Sequence, residues 1–223
     1  MHDTLIFDLD GTLVHSAPDL AHSLNHTMDR YGVAPLTMET VSLLIGGGIP
    51  KLVERGFREA GCRITNRKLE EATRTFEAHY AKNAVVDTEL YPGAKPVLDA
   101  LRAAGMKLSI CTNKLEPIAK DILEKLRIAH YFEAILGGHA KRPRKPDPAA
   151  LWEAVEKSGG SAERTVMIGD SKVDLDAARA ARIPVILVSH GYSKVPAAQL
   201  GPDAVVDSLS DLPEALASLC VDA

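Results

Sequence analysis

Three cysteines, one tryptophan and an aromatic content of 4% are the scarcest parts of this 223-residue sequence. Cys62, Cys111 and Cys220 are odd in number and far apart, so they suggest neither a disulfide framework nor a zinc site. The eight histidines are spread mostly singly and suggest no ligand pair. No apolar run approaches the ~20 residues that span a bilayer. The first residues, with Asp3, Asp8 and Asp10, lack the basic start and apolar core of a secretory leader. Basic charge is not in excess, since 26 Lys and Arg face 30 Asp and Glu for a net charge of −4. That balance argues against nucleic acid or an anionic membrane as the main partner. A reducing, cytoplasmic location is the expectation, and oligomeric state is left open. Hydrophobic content of 46% and charged content of 25% are ordinary for a globular chain.

Two textures divide the chain. From residue 15 to residue 86 there is helical periodicity and no convincing strand. Leu20, Leu24, Met28 and Tyr31 form one apolar helix face, closed by Gly32 and Pro35. Val41, Leu44 and Ile45 suggest a second short helix before Gly46-Gly47-Gly48. Leu52, Val53 and Phe57 mark a third, and Leu69, Ala72, Phe76 and Tyr80 a fourth. Elsewhere short apolar runs alternate with helical patterns. The runs are Leu5–Phe7, Leu108–Cys111, Ala134–Leu136, Val166–Ile168, Val185–Val188 and Ala204–Val206. Near-continuous apolar strands separated by helices imply a parallel sheet covered on both faces. The expected fold is α/β, a Rossmann-like parallel sheet core with an all-helical cap inserted after the first strand. The core would take residues 1–14 and 87–223, and the cap residues 15–86.

Chemistry gathers at the ends of these strands. In Asp8-Leu9-Asp10-Gly11-Thr12 a strand alternates its side chains, so Asp8 and Asp10 share a side. Two carboxylates there are costly unless a cation or a chemical task holds them. Thr112-Asn113 follows the strand at Leu108–Cys111, and Gly169-Asp170-Ser171 follows the one at Val166–Ile168. Ligands of open parallel sheets bind outside the carboxyl ends of the strands. Asp174, one helical turn beyond Asp170, reaches the same place. Asp8, Asp10, Asp170 and Asp174 thus form a candidate metal set, and hard oxygen donors with few histidines point to Mg²⁺. Each part has a plainer reading. Asp170 and Ser171 could only cap a helix, Thr112-Asn113 could be a turn, and Lys145 could be one more cation of the solvated loop Lys141-Arg142-Pro143-Arg144-Lys145. Cys111 reads as a small buried apolar residue rather than a nucleophile.

Taken together, Asp8-Leu9-Asp10-Gly11-Thr12, Thr112-Asn113-Lys114, Lys145-Pro146-Asp147-Pro148 and Gly169-Asp170-Ser171-x-x-Asp174 resemble, in order, the motifs of haloacid-dehalogenase-superfamily phosphohydrolases. Ser16-Ala17-Pro18-Asp19-Leu20, Ile45-Gly46-Gly47-Gly48, Thr112-Asn113-Lys114 and His190-Gly191-Tyr192 are similar to segments of the phosphoglycolate phosphatases. The resemblance implies that Asp8 is the nucleophile of a phosphoester hydrolase and passes through an aspartyl-phosphate. It implies that Asp10 is the general acid and base. Thr112, the amide of Asn113 and Lys145 would hold the phosphoryl oxygens. Mg²⁺ would sit on Asp8, the carbonyl of Asp10 and Asp170, with Asp174 as ligand or orienter. Arg142 and Arg144 would then be solvated.

The cap would contact the leaving group of a small phosphorylated metabolite, with 2-phosphoglycolate the first candidate. Gly47 and Gly48 expose amides suited to a carboxylate, with Lys51 and Arg55 nearby; equally, the glycines could only turn the chain. Two residues depart from the family pattern. His15 stands where an acidic residue is usual, and Arg182 where glycine is usual. A dehalogenase is disfavoured by Asp10. A sugar phosphate mutase resembling β-phosphoglucomutase, a phosphatase of another metabolite and a catalytically silent phosphate-binding module remain as alternatives.

Overall fold

A computed structural model describes residues 2–219, so Cys220 lies outside the described residues. The strands are β1 (Thr4–Phe7), β2 (Val14–His15), β3 (Glu89–Leu90), β4 (Lys107–Leu115), β5 (Ala134–Gly138), β6 (Thr165–Gly169), β7 (Val185–Val188) and β8 (Ala204–Val206). The helices are α1 (Ala17–Asp29), α2 (Met38–Ser42), α3 (Ile49–Glu59), α4 (Asn66–Asn83), α5 (Ala94–Ala103), α6 (Glu116–Lys125), α7 (Ala149–Ser158), α8 (Lys172–Ala181), α9 (Ala197–Leu200) and α10 (Leu212–Ser218). Among the described residues, no helix is long and apolar enough to cross a membrane.

The chain divides into two compact units, Met1–Val14 with Leu90–Ala223, and His15–Glu89. In the first, six parallel strands take the order β5-β4-β1-β6-β7-β8. All four residues of β1 are buried, which is why the run carries no polar alternation. Ile6, Cys111, Leu136, Met167 and Leu187 of the strands pack with Leu151 and Val155 of α7 and Leu175 of α8 in one core cluster. From β1 the sheet grows outward through β4 to β5, then restarts on the other flank with β6. The reversal of strand order falls at β1, the place where such sheets bind their ligands.

The strand seen in the sequence as Leu108–Cys111 is longer than expected. β4 runs on to Leu115, so Thr112 and Asn113 lie within it rather than in a turn beyond it. The extension is irregular, because pairing with β5 shifts register between Cys111 and Leu115. A second difference concerns α2, which ends at Ser42 and leaves Leu44 and Ile45 in the following turn. Thr37 sets its start by accepting the amide of Thr40 at 3.2 Å.

The helical unit extends to Glu89 rather than to residue 86. Asp19 of α1 is the reason. Its buried carboxylate accepts the amides of Val86, Asp87 and Thr88 at 3.0, 3.1 and 2.9 Å and the Thr88 hydroxyl at 2.7 Å, tying that segment to α1. Hydrogen bonds to a charged group contribute about 1.5–3 kcal/mol each but do not add simply. Asp19→Ala is expected to lower stability by roughly 3 kcal/mol, read from urea unfolding. A loss below about 0.5 kcal/mol would show that water replaces the carboxylate at no cost. Within this unit α1 and α3 approach closely at Gly56, where a β-carbon would collide with Leu24. The histidines are not all single, as His26 and His79 stack with ring centroids 4.1 Å apart. Helix positions on α1 and α4 bring together what sequence distance separates.

Arg182 closes α8 in the left-handed region at φ 58°, the conformation that favours glycine. This is the physical content of the departure noted there.

Candidate active site

The register of the sheet builds the site. Phe7 pairs with Ile110 on one side and Ile168 on the other, so Asp8 emerges level with the end of β6, while β4 runs on past it to Leu115. The Asp8 amide still donates to the carbonyl of Ile168 at 2.9 Å, which holds the backbone while the side chain leaves the ladder. Carboxylate oxygens of Asp8, Asp170 and Asp174 lie within 4.8 Å of one another. Lys145 is buried among them, its Nζ 3.0 Å from Asp8 Oδ1 and 2.5 Å from Asp174 Oδ1. The contact to Asp8 is an ion pair without hydrogen-bond geometry, since Asp8 Oδ1 has no hydrogen-bond partner. Lys145 is therefore not a solvated cation of its loop.

Burial and crowding govern the charges. Removal from water pushes the Asp8 carboxyl up to about 6, against the pull of Lys145 and with the repulsion of Asp174 and Asp10. Burial, reinforced by the carboxylates of Asp174 and Asp8, raises Asp170 well above the usual carboxylate range. Burial alone would lower Lys145, but Asp174 and Asp8 outweigh it and hold the ammonium charged. Buried hard oxygens short of positive charge are a donor set that fits a divalent cation such as Mg²⁺. Asp8 and Asp170 are the residues able to hold it. Asp174 is engaged elsewhere: Oδ1 meets Lys145, while Oδ2 accepts the Ser171 amide at 3.1 Å and hydroxyl at 2.8 Å at the start of α8.

Asp10 stands outside this carboxylate group. Both of its side-chain oxygens are taken by Lys114 Nζ, at 2.8 and 2.9 Å. Thr112 is buried and accepts the amide of Lys114 at 3.3 Å. Asn113 donates through Nδ2 to the carbonyl of Lys145 at 2.8 Å, bracing the lysine loop, and its Oδ1 is buried with no hydrogen-bond partner. Arg142 is a correction. It is not solvated but bound to Glu116 and Glu153, donating to Glu153 Oε2 at 3.0 Å and to the carbonyl of Gly137 at 3.1 Å. The acidic partners come from α6 and α7, which the basic run did not reveal. Cys111 is buried and its thiol is pushed up to about 12 by burial, as suits a packing residue.

In the helical unit, Gly46, Gly47 and Gly48 all have positive φ, at 114°, 80° and 89°. Arg55 donates from Nη1 to the carbonyls of Leu44 at 3.0 Å and Gly46 at 2.8 Å, so it shapes this loop. Lys51 is exposed and pairs with Glu54 at 3.3 Å.

Three residues of the site stood within quoted motifs but were given no role by sequence reasoning. Lys114 shares a strand side with Thr112, two residues away, and that alternation was the available signal. Tyr192 gives its backbone amide to Asp170 Oδ2 at 2.7 Å. Gly191, just before it, has no room for a side chain, because a β-carbon would run into the carboxylate of Asp170; Gly11 is closed to one by the same group.

Known proteins resemble this chain in sequence and in fold. Residues 5–188 match the family model of haloacid dehalogenase-like hydrolases. The phosphoglycolate phosphatase of Agrobacterium fabrum is 41% identical over 211 residues, covering 95% of this chain and 91% of that protein. That of Rhodospirillum rubrum is 41% identical over 216 residues, with 95% and 90% covered. A crystal structure described as a predicted phosphoglycolate phosphatase from Haemophilus somnus 129PT superimposes with a TM-score of 0.88 at 32% identity, over 96% of this chain and 97% of that one. A family match over most of the chain, with relatives above a third identical along nearly their whole length, places the sequence: the chain belongs to the haloacid dehalogenase-like hydrolases.

Proposed function

We propose that this phosphoric monoester hydrolase works through an aspartyl-phosphate on Asp8 and prefers small carboxylated phosphomonoesters, 2-phosphoglycolate first. The observation that carries the mechanism is the buried group of Asp8, Lys145, Asp170 and Asp174 at the reversal point of the sheet, with Asp10 gripped beside it. An oxygen of Asp8 attacks phosphorus as the bond to the leaving oxygen breaks, and Asp10 gives its proton to that oxygen. Water then attacks the aspartyl-phosphate, losing a proton to Asp10, and phosphate and free Asp8 result. One residue serves both halves because acid and base roles reverse between them. Thr112, the Asn113 amide and Lys145 take the phosphoryl oxygens, and stabilising that charge is most of what phosphoryl transfer asks of a protein. Mg²⁺, when held by Asp8 and Asp170, screens the repulsion between carboxylate and phosphate dianion. Asp174 orients Lys145.

The substrate preference is supported by the names of the relatives and by the Gly46–Gly48 loop, whose amides, with Lys51, are the proposed donors to a carboxylate; Arg55 keeps the loop in shape. Donors meant for a carboxylate are left unpaired by a neutral substrate, which lowers kcat/KM. The test is phosphate release from 2-phosphoglycolate, glycerol phosphate and glucose 6-phosphate, before and after exhaustive chelation, in the wild type and in Arg55→Ala. Phosphoglycolate is expected to lead by about tenfold or more, the lead to shrink in Arg55→Ala, and chelation to remove activity until Mg²⁺ is restored. A lead for the neutral sugar phosphate would remove the substrate assignment. Full activity after chelation would remove the metal.

A further inference from the structure

We propose that Lys114 is the positioning residue of the proton-transfer carboxylate, fixing Asp10 for delivery to the leaving oxygen. This rests on the reading of Asp10 as acid and base given above. Asp10 lies past the end of β1, makes an isolated bridge to Val14 at the start of β2, and precedes a glycine at φ 81°. A carboxylate on such a turn has rotamer freedom that the sheet does not remove. Lys114 removes it. Its Nζ meets Asp10 Oδ1 at 2.8 Å and Oδ2 at 2.9 Å, with only 3% of the lysine side chain exposed. Gripping both oxygens sets the torsion of the carboxylate plane, which a single contact would leave open.

The backbone shows how the lysine is brought there. β4 leaves its register with β5 between Cys111 and Leu115, the stretch that holds Lys114, and the Lys114 amide is fastened to Thr112 Oγ1. A buried ammonium in a strand is expensive to desolvate and adds little to packing that an apolar residue would not. Its value lies in placing Asp10. Misplacement of a catalytic group by about 1 Å can cost on the order of 10²-fold in rate.

The experiment compares Lys114→Met, Lys114→Arg and Asp10→Asn on glycerol phosphate, whose alkoxide needs a proton, and on p-nitrophenyl phosphate, whose phenolate needs little. Asp10→Asn is expected to lose about 10²–10⁴-fold more on glycerol phosphate than on p-nitrophenyl phosphate. Lys114→Met is expected to show the same split, near 10²-fold, in kcat rather than KM. Lys114→Arg keeps the charge but shifts the donors, so its split should be smaller than that of Met and in the same direction. Should Lys114→Met fail to fold, the arginine variant alone carries the test. Because both changes act on the same contact, the double variant Lys114→Met with Asp10→Asn is expected to be no worse than Asp10→Asn alone. If Asp10→Asn splits the substrates but neither lysine variant does, Lys114 has no positioning role and the acid reading stands. If Asp10→Asn itself shows equal losses, both fall together.

Discussion

Asp8→Asn should lose turnover by on the order of 10⁴-fold or more, the scale of removing a nucleophile, and the metal-free variant should melt higher than the wild type at neutral pH. The carboxamide offers no anionic oxygen to phosphorus, so the first half of the reaction has no path. The stability gain follows from the buried carboxyl, which is pushed up to about 6 by desolvation and by its acidic neighbours, with Lys145 opposing. A carboxyl whose folded pKa is raised contributes stability fully present below its unfolded value, and that contribution is lost as pH rises through the folded value. Above about pH 6 the folded protein therefore carries a disfavoured charge. Asparagine mimics the protonated form and removes this penalty. The rise in melting temperature should be clear at about pH 7.5 and shrink toward about pH 4, where the wild type is protonated as well. Activity within about tenfold of wild type, in protein shown by mass to be free of deamidation, would dismiss Asp8 as the nucleophile. A lower melting point at neutral pH would show that its pairing with Lys145 outweighs its burial.

The reverse is expected at Lys145, where both stability and rate should fall. Its side chain is 1% exposed and its Nζ is the close cation for Asp8 and for the fully buried Asp174. Lys145→Met fits the volume but leaves two carboxylates without their counter-charge. Breaking a buried pair by removing one partner costs about 3–5 kcal/mol, because the remaining charge stays desolvated. The same change deprives the transferring phosphoryl group of a positive neighbour, a loss of about 10²–10³-fold by analogy with other removed electrostatic donors. Urea unfolding of the metal-free protein gives the first quantity and phosphate release the second. Stability within about 0.5 kcal/mol of wild type would mean that the carboxylates relax by taking up protons or water, and the ion pairs would lose their structural weight. Lys145→Arg is a sharper comparison, since the charge is kept but the larger planar head must fit between the carboxylates of Asp8 and Asp174.

Local order along the chain carried much of this molecule. Leu5–Phe7, one apolar run in a series alternating with helical patterns, read as a covered strand, and it is buried throughout. The alternation Asp8-Leu9-Asp10 and the helical step from Asp170 to Asp174 describe neighbours two and four residues apart, and such spacings translate directly into shared sides. Asp8, Asp170 and Asp174 come together in the structure with Lys145 among them, while Asp10 stands beside that group on Lys114. Tertiary structure decided the partners. Lys114 and Asp10 are 104 residues apart, and the Tyr192 amide reaches Asp170 across 22. Arg142, read as solvated in its basic run, is neutralised by glutamates of α6 and α7. Asp19, quoted in the sequence only as part of a motif and given no role, is a buried anchor for residues 86–88. None of these has a period or a spacing to read. Each depends on where β4 sits in register beside β1, on how a strand irregularity aims its side chains, or on which loop amides a carboxylate meets, and those are properties of packed segments rather than of neighbouring residues.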